Sequence, residues 1–257
     1  MHLERLTSVL EAIAIAGRPL AAGDLHEMTR LPLPTCYRLL QLLREQRLIE
    51  DPGANNRYVI GERLVRIAFL AKTDADVCAV TAPILKKATG QFGEAVFLSR
   101  FREKGVSIIH VETPPDPSVS YIHPGLGYRP MHACSCSKAI AAFADDTFRE
   151  LILNGPMKAY TSQTYTSRTE LEKDFAQIQK RGYAECVEEI ETGVSSVAAP
   201  VNDDNIGAVF SVGAIGPIRR FTATHRRALG ESLIEVAAEI GTCVNNSRFP
   251  NSNTNQP

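Results

Sequence analysis

Two stretches of the chain concentrate side chains that can recognise other molecules. In the first, Thr35, Tyr37, Arg38, Gln41 and Arg44 stand close together, and Asn55, Asn56 and Arg57 follow after a turn. A guanidinium offers a planar fork of donors that matches guanine or phosphate, a glutamine amide matches adenine, and a hydroxyl reaches a phosphate or a base edge. That is the chemistry of reading double-stranded DNA. In the second stretch, His132-x-Cys134-x-Cys136 runs into Ser135-Cys136-Ser137-Lys138. Imidazole and thiols are soft metal ligands, and thiols are also redox-active. A helix opening at Ser135 would instead offer unpaired backbone amides and a positive dipole end, which suit a carboxylate. Glu188 and Glu189 are adjacent acids, but neighbours in a strand point to opposite faces, so one of them is expected to hold a loop through backbone N–H groups. No GxSxG elbow, phosphate-binding P-loop or Rossmann fingerprint occurs.

The elements that position the first stretch are short. Leu6, Val9, Leu10 and Ile13 fall at helical spacing and predict a helix over residues 3–16, ended by Gly17-Arg18-Pro19. A second helix is expected over 22–29. A third starts at Pro34, where a missing N–H costs nothing, and runs to about residue 46. Cys36, Leu39, Leu40 and Leu43 form its core stripe; Arg38, Gln41 and Glu45 lie opposite, with Thr35 and Tyr37 flanking. Strands over 47–50 and 57–60 enclose Asp51-Pro52-Gly53-Ala54-Asn55-Asn56, which is turn chemistry. Three helices and a hairpin make a winged helix-turn-helix, with the third helix entering the major groove.

Helices follow over 62–72 and 77–92, with Thr73-Asp74-Ala75-Asp76 between them. From Glu94 the period becomes that of strands, at 95–98 and 106–111 around Arg102-Glu103-Lys104-Gly105, and at 119–122, 183–187, 194–201 and 207–214. Helices are expected over 136–144, 147–153, 169–181 and 223–244. The second half is therefore α+β, an antiparallel sheet with helices packed on it, large enough to enclose a small-molecule pocket.

The whole chain of 257 residues has a formal net charge of −1, which argues against a general polyanion binder. Residues 1–72 hold ten Arg or Lys against eight Asp or Glu, a charge of +2, and the remainder is −3. So weak a basic excess requires two or four copies acting together on DNA. The start, MHLERLTSV, lacks the apolar stretch of a secretory signal, and no apolar run approaches the ~20 residues that span a bilayer. The expectation is a cytoplasmic protein with no membrane partner and with reduced cysteines. Cys36, Cys78 and Cys243 lie on helices and read as small core residues.

Three segments carry a resemblance: LPLPTCYRLLQLLREQRLIEDPGANNRYVIG, RPMHACSCSKAIAAF and QKRGYAECVEEIETGVSSVAAPVNDDNIGAVFSVGAIGP. With their many simultaneous spacings, above all GYA…EE…G…AAPV…GP, the chain resembles the IclR family of bacterial transcriptional regulators over nearly its whole length. The resemblance implies a winged helix-turn-helix DNA-binding domain over 1–72, a helical linker over 73–92 and a GAF-like effector-binding domain over 93–245; it leaves out the tail over 246–257, whose richness in Asn, Ser and Pro reads as disorder. It implies a homo-oligomer, a dimer or dimer of dimers, on a partly palindromic operator, without cofactor or catalysis. It carries DNA contact to Thr35, Tyr37, Arg38, Gln41, Arg44, Asn56 and Arg57, and effector contact to Tyr121, Ser135, Cys136, Cys186, Val194, Ser196, Gly213 and Ile215.

This chain departs from the family pattern at Leu33-Pro34, which replaces a polar pair before the threonine, and at Ser137, which replaces a glycine before the lysine. Cys186, Gly213 and Ile215 stand where some members have an acid and two serines, which implies a less polar pocket and a larger or aromatic carboxylate. Two other readings stay open from the residues alone: a cysteine-based metal or redox sensor around His132, Cys134, Cys136 and Cys186, and a small-acid enzyme on the second domain.

Overall fold

The computed structural model describes residues 2–102, 104–116, 122–144, 146–203 and 207–246. The chain divides into two compact units, 1–72 and 73–257. Tyr121, most of the strand expected over 119–122, and nearly all of the tail fall outside the described residues.

The first unit contains α1 (His2–Ala16), α2 (Ala22–Thr29), α3 (Leu33–Glu45), β1 (Ile49–Glu50), β2 (Val59–Ile60) and α4 (Glu62–Ala71). One apolar cluster holds it together: Val9 and Ile13 of α1, Leu25 of α2, Cys36, Leu39, Leu40 and Leu43 of α3, and Ile49 of β1 are all buried. The core stripe read from the third helix is thus the buried one. Antiparallel β1 and β2 pair Ile49 with Ile60 and Glu50 with Val59, and Tyr58 bridges to Leu20. The turn between them is held by Asp51, whose carboxylate accepts the amides of Asn55 at 3.1 Å and Asn56 at 2.8 Å. At Gly61 a Cβ would lie 2.5 Å from the Arg47 carbonyl oxygen, so only glycine lets the returning strand close on the helix end.

The second unit contains α5 (Asp74–Phe92), β3 (Ala95–Arg102), β4 (Gly105–Glu112), β5 (Gly127–Tyr128), α6 (Ser135–Phe143), α7 (Asp146–Leu153), α8 (Arg168–Arg181), β6 (Ala184–Val187), β7 (Val194–Asp203), β8 (Gly207–Pro217) and α9 (Ala223–Asn246). The six strands form one antiparallel sheet in the order β5-β4-β3-β8-β7-β6. Strand alternation serves two helical layers. Ala198 of β7 joins the apolar cluster made with α6, α7 and α8, whereas Val201 of the same strand meets Gly241 of α9. The α5 helix packs with α9 and against β3 and β4.

Two local expectations are corrected. The fifth helix starts at Asp74 rather than residue 77: Thr73 caps it, its hydroxyl accepting the Asp76 amide at 3.2 Å while the Asp76 carboxylate receives the Thr73 amide and hydroxyl. The first hairpin of the sheet is longer and its turn tighter, because the strands run to Arg102 and resume at Gly105. No helix among the described residues is long and apolar enough to cross a membrane.

Candidate functional site

The outer face of α3 is built by subtraction. Cys36, Leu39, Leu40 and Leu43 are spent on the core, so Tyr37, Arg38, Gln41 and Arg44 remain exposed together with Leu33 and Leu42, Tyr37 at 59%. The helix is capped by Pro32 with no side-chain cap, so Thr35, half-buried in the first turn, is not the capping residue. Among the described residues neither the Thr35 hydroxyl nor the Arg38 guanidinium has a hydrogen-bond or ion-pair partner. Gln41 differs, because its amide donates to Glu45 at 3.0 Å. On the wing, Asn56 and Arg57 are exposed. Asn56 takes a left-handed φ of 57°, which places it at the tip of the Asp51-held turn. Arg57 lies 4.0 Å from Asp24, which also meets Arg18 at 3.3 Å. The Ala21 amide and these cations hold the Asp24 carboxyl below its ordinary range. A free cation on a helix face and amide- and guanidinium-bearing residues on an adjacent turn can contact bases and phosphates together.

Within the second unit, a cavity of about 140 Å³ lies between the sheet and the start of α6. Its walls are Phe97, Ile108, Cys134, Cys186, Val194, Ser196 and Ile215, with Ile122, His123, Pro124 and Arg129 on one side and Ile190 and Glu191 on another. Cys186, Val194, Ser196 and Ile215, four of the residues expected to contact an effector, therefore line one cavity. The cross-strand register explains why, since Cys186 pairs with Ser196 and Ser196 with Ile215.

Ser135 is fully buried and reaches the cavity wall through its hydroxyl, 2.8 Å from that of Ser196. The first helical bond of α6 runs from the Lys138 amide to the Cys134 carbonyl at 3.0 Å, so the amides of residues 135–137 precede the helical ladder. Cys136 and Gly213 are buried behind the lining rather than in it. Gly213 acts on the cavity through Phe97, because a Cβ there would lie 2.4 Å from the Phe97 ring and 2.7 Å from the Val197 carbonyl oxygen.

Arg129 is a charged lining residue that sequence reasoning missed. Its Nη2 donates to the carbonyls of Pro124 and Gly125, its backbone amide bonds Val106 at 2.9 Å, and its Nε is buried without a hydrogen-bond partner among the described residues. Beside apolar Phe97, Ile108, Val194 and Ile215, and with Ser196, His123 and Glu191 among its other polar lining, the wall thus carries one cation with a spare N–H, which is what a carboxylate would satisfy. The cavity's thiols differ in character. Burial, reinforced by the negative charge of Glu189, pushes the Cys186 thiol up to about 12, so it is a neutral wall group.

Beside the cavity lies a buried ion cluster. Lys138, fully buried on α6, sits 2.7 Å from Glu189 and 2.9 Å from Asp174, with its ammonium 5.0 Å from the centre of the Tyr165 ring. Burial alone would lower the lysine, but the two carboxylates outweigh it and hold it charged. Burial raises Glu189 to about 7 against the pull of Lys138. The neighbouring Glu188 has the loop-holding role, accepting the Gly193 amide at 2.8 Å. His132 is turned away to the Lys158 carbonyl at 2.9 Å, and no group of three His, Cys, Asp or Glu among the described residues is placed to hold a metal.

Residues 69–242 match the family model described as bacterial transcriptional regulator IclR C-terminal, and residues 2–52 match the IclR helix-turn-helix domain. The chain is 31% identical over 221 residues to the glycerol operon regulatory protein of Streptomyces griseus, covering 85% of each chain. It is 26% identical to the transcriptional repressor IclR of Escherichia coli K12, covering 93% of this chain and 88% of that one. Its fold is shared with a crystal structure of an IclR homologue from Microbacterium hydrocarbonoxydans complexed with 4-hydroxybenzoate, at a TM-score of 0.57 and 21% identity over 96% of this chain and 100% of that one. These relatives are regulators rather than enzymes, in keeping with the absence of a catalytic motif from the sequence. The chain belongs to the IclR family of bacterial transcriptional regulators.

Proposed function

We propose that this protein is a cytoplasmic, homo-oligomeric transcriptional repressor that binds a partly palindromic operator through residues 1–72 and senses a small, single-ring carboxylate through residues 93–245. Thr35, Arg38 and Gln41 would read bases, with Tyr37, Arg44, Asn56 and Arg57 on phosphates. Residues 73–92 would carry the effector's influence as a linker. Effector binding changes DNA affinity only to the extent that the effector prefers one arrangement of the oligomer. The repressor role is supported by the Escherichia coli relative, which is a transcriptional repressor.

The observation that carries the effector class is Arg129 with an unpaired Nε beside apolar Phe97, Ile108, Val194 and Ile215. A cavity of about 140 Å³ is close to the ~150 Å³ that accommodates benzene in a well-studied engineered protein cavity. The 4-hydroxybenzoate held by the Microbacterium homologue is of this class. Calorimetric titration with benzoate, 4-hydroxybenzoate, neutral benzamide and pyruvate tests the reading. Aromatic carboxylates should bind, and Arg129→Leu should weaken them by roughly 10- to 150-fold, the worth of a charged hydrogen bond of about 1.5–3 kcal/mol. Benzamide binding as tightly as benzoate would overturn the carboxylate reading.

A further inference from the structure

We propose that Cys134 and Cys136 form a modification site on the wall of the cavity, where a small organic hydroperoxide oxidises the two thiols to an intramolecular disulfide. Their sulfurs are 3.2 Å apart, in direct hydrogen-bonding contact, and both side chains are buried. Cys134 lines the cavity and is the residue that caps α6; Cys136 is the second residue of the helix, in its first turn and behind the lining. A disulfide bond is about 2.05 Å long, so closure needs the sulfurs to approach by only about 1 Å.

Among the described residues this sulfur–sulfur contact is not repeated. Cys36 is in the core of the other unit, Cys78 and Cys243 donate to the carbonyls of Ile109 and Val80, and Cys186 bonds neither cysteine. The pair also shares a proton unequally. The hydrogen bond with Cys136, together with burial, pushes the Cys134 thiol well up. Burial would raise Cys136 too, but hydrogen bonds from Cys134, Ser99 and Ser137 and the charge of Arg129 outweigh it and lower that thiol. Cys136 is therefore the better resolving nucleophile, since the thiolate is the reacting form of cysteine.

The chemistry closes without another partner. As the hydroperoxide enters, the Cys134 sulfur attacks the terminal oxygen. The O–O bond breaks, the Cys134 proton passes to the departing alkoxide, which leaves as an alcohol, and Cys134 becomes a sulfenic acid. The Cys136 sulfur then attacks that of Cys134, the S–O bond breaks, and water leaves with the Cys136 proton. Two thiols and one hydroperoxide yield one disulfide, one alcohol and one water; the two electrons lost by sulfur reduce the O–O bond. Ser135 lies between the two cysteines and bonds Ser196, so closure acts on the cavity wall.

The test needs no carboxylate and therefore stands or falls apart from the effector reading. The full chain is treated with stoichiometric tert-butyl hydroperoxide, denatured in iodoacetamide, digested and mapped by mass. The expected result is a peptide carrying Cys134 and Cys136, both unalkylated and lighter by two hydrogen atoms, that dithiothreitol restores to double alkylation. Cys36, Cys78, Cys186 and Cys243 should remain alkylated. Cys134→Ser and Cys136→Ser should each abolish that species, and the wild-type map carries the test if either fails to fold. Alkylation of both cysteines after treatment, a bridge to Cys186 instead, or a sulfinic acid without a bridge would overturn the proposal.

Discussion

Replacing Lys138 by methionine isolates the buried ion cluster that fastens α6 to α8 and to the turn after β6. The substitution keeps the length of the side chain and removes its charge. Asp174 and Glu189, at 2.9 and 2.7 Å, are then left as two carboxylates facing each other, with Arg181, 3.8 Å from Asp174, as the cation that remains beside them. Removing one partner of a buried ion pair costs about 3–5 kcal/mol. For a unit of this size that is a fall in Tm of roughly 6–20 °C, at about 2–4 °C per kcal/mol.

The deficit must also depend on pH, and the sign follows from linkage. A carboxyl whose folded pKa lies above its unfolded one stabilises the fold most at low pH, and that advantage is lost as pH rises through the interval between the two. Glu189 already titrates near 7 in the wild-type protein, so its own contribution declines between the ordinary carboxylate range and neutrality. Lys138 restrains that rise, and Asp174, Cys186 and Tyr165 surround the same carboxyl or its lysine. Without the lysine the Glu189 carboxyl holds its proton to higher pH. The deficit of Lys138→Met should therefore be largest at pH 8 and shrink toward pH 5, and Glu189→Gln in the same background should recover part of it. Urea unfolding at both pH values measures this. A deficit under about 1 kcal/mol, or one equal at the two pH values, would refute the reasoning.

Further outcomes follow from the same geometry. Arg38→Ala should abolish specific footprinting on the operator, at about 1–3 kcal/mol for a lost bidentate base contact, while leaving Tm unchanged. Asp51→Ala removes the acceptor of the Asn55 and Asn56 amides and should lower operator affinity through a loosened wing, measured by fluorescence anisotropy. Gly213→Ala must displace the Phe97 ring from a 2.4 Å contact. It should cost about 1–3 kcal/mol of stability and weaken cavity ligands without altering DNA affinity.

The first unit was legible because its information is local. Cys36, Leu39, Leu40 and Leu43 repeat at helical spacing, and what they leave outside is Arg38, Gln41 and Arg44. The family resemblance brought Cys186, Val194, Ser196 and Ile215 to one cavity, and cross-strand register is the physical reason they meet. Other features depended on contacts that no short window carries. Lys138 and Glu189 are 51 residues apart and on different elements, so their pairing leaves no periodic trace. Arg129 comes from an irregular stretch whose guanidinium is oriented by nearby carbonyls rather than by helix or strand phase. The Thr73-x-x-Asp76 capping box was present as a local signal and was read as an interruption, because its four polar residues also look like a loop.

The most direct test of the central account measures operator binding by the full-length protein with and without 4-hydroxybenzoate, in wild-type and Arg129→Leu forms. The account predicts operator-specific binding that Arg38→Ala abolishes, a shift in affinity of about 5- to 150-fold when the carboxylate is added, and loss of that shift in Arg129→Leu with DNA binding intact. Operator affinity unmoved by any single-ring carboxylate that calorimetry shows to be bound would contradict it.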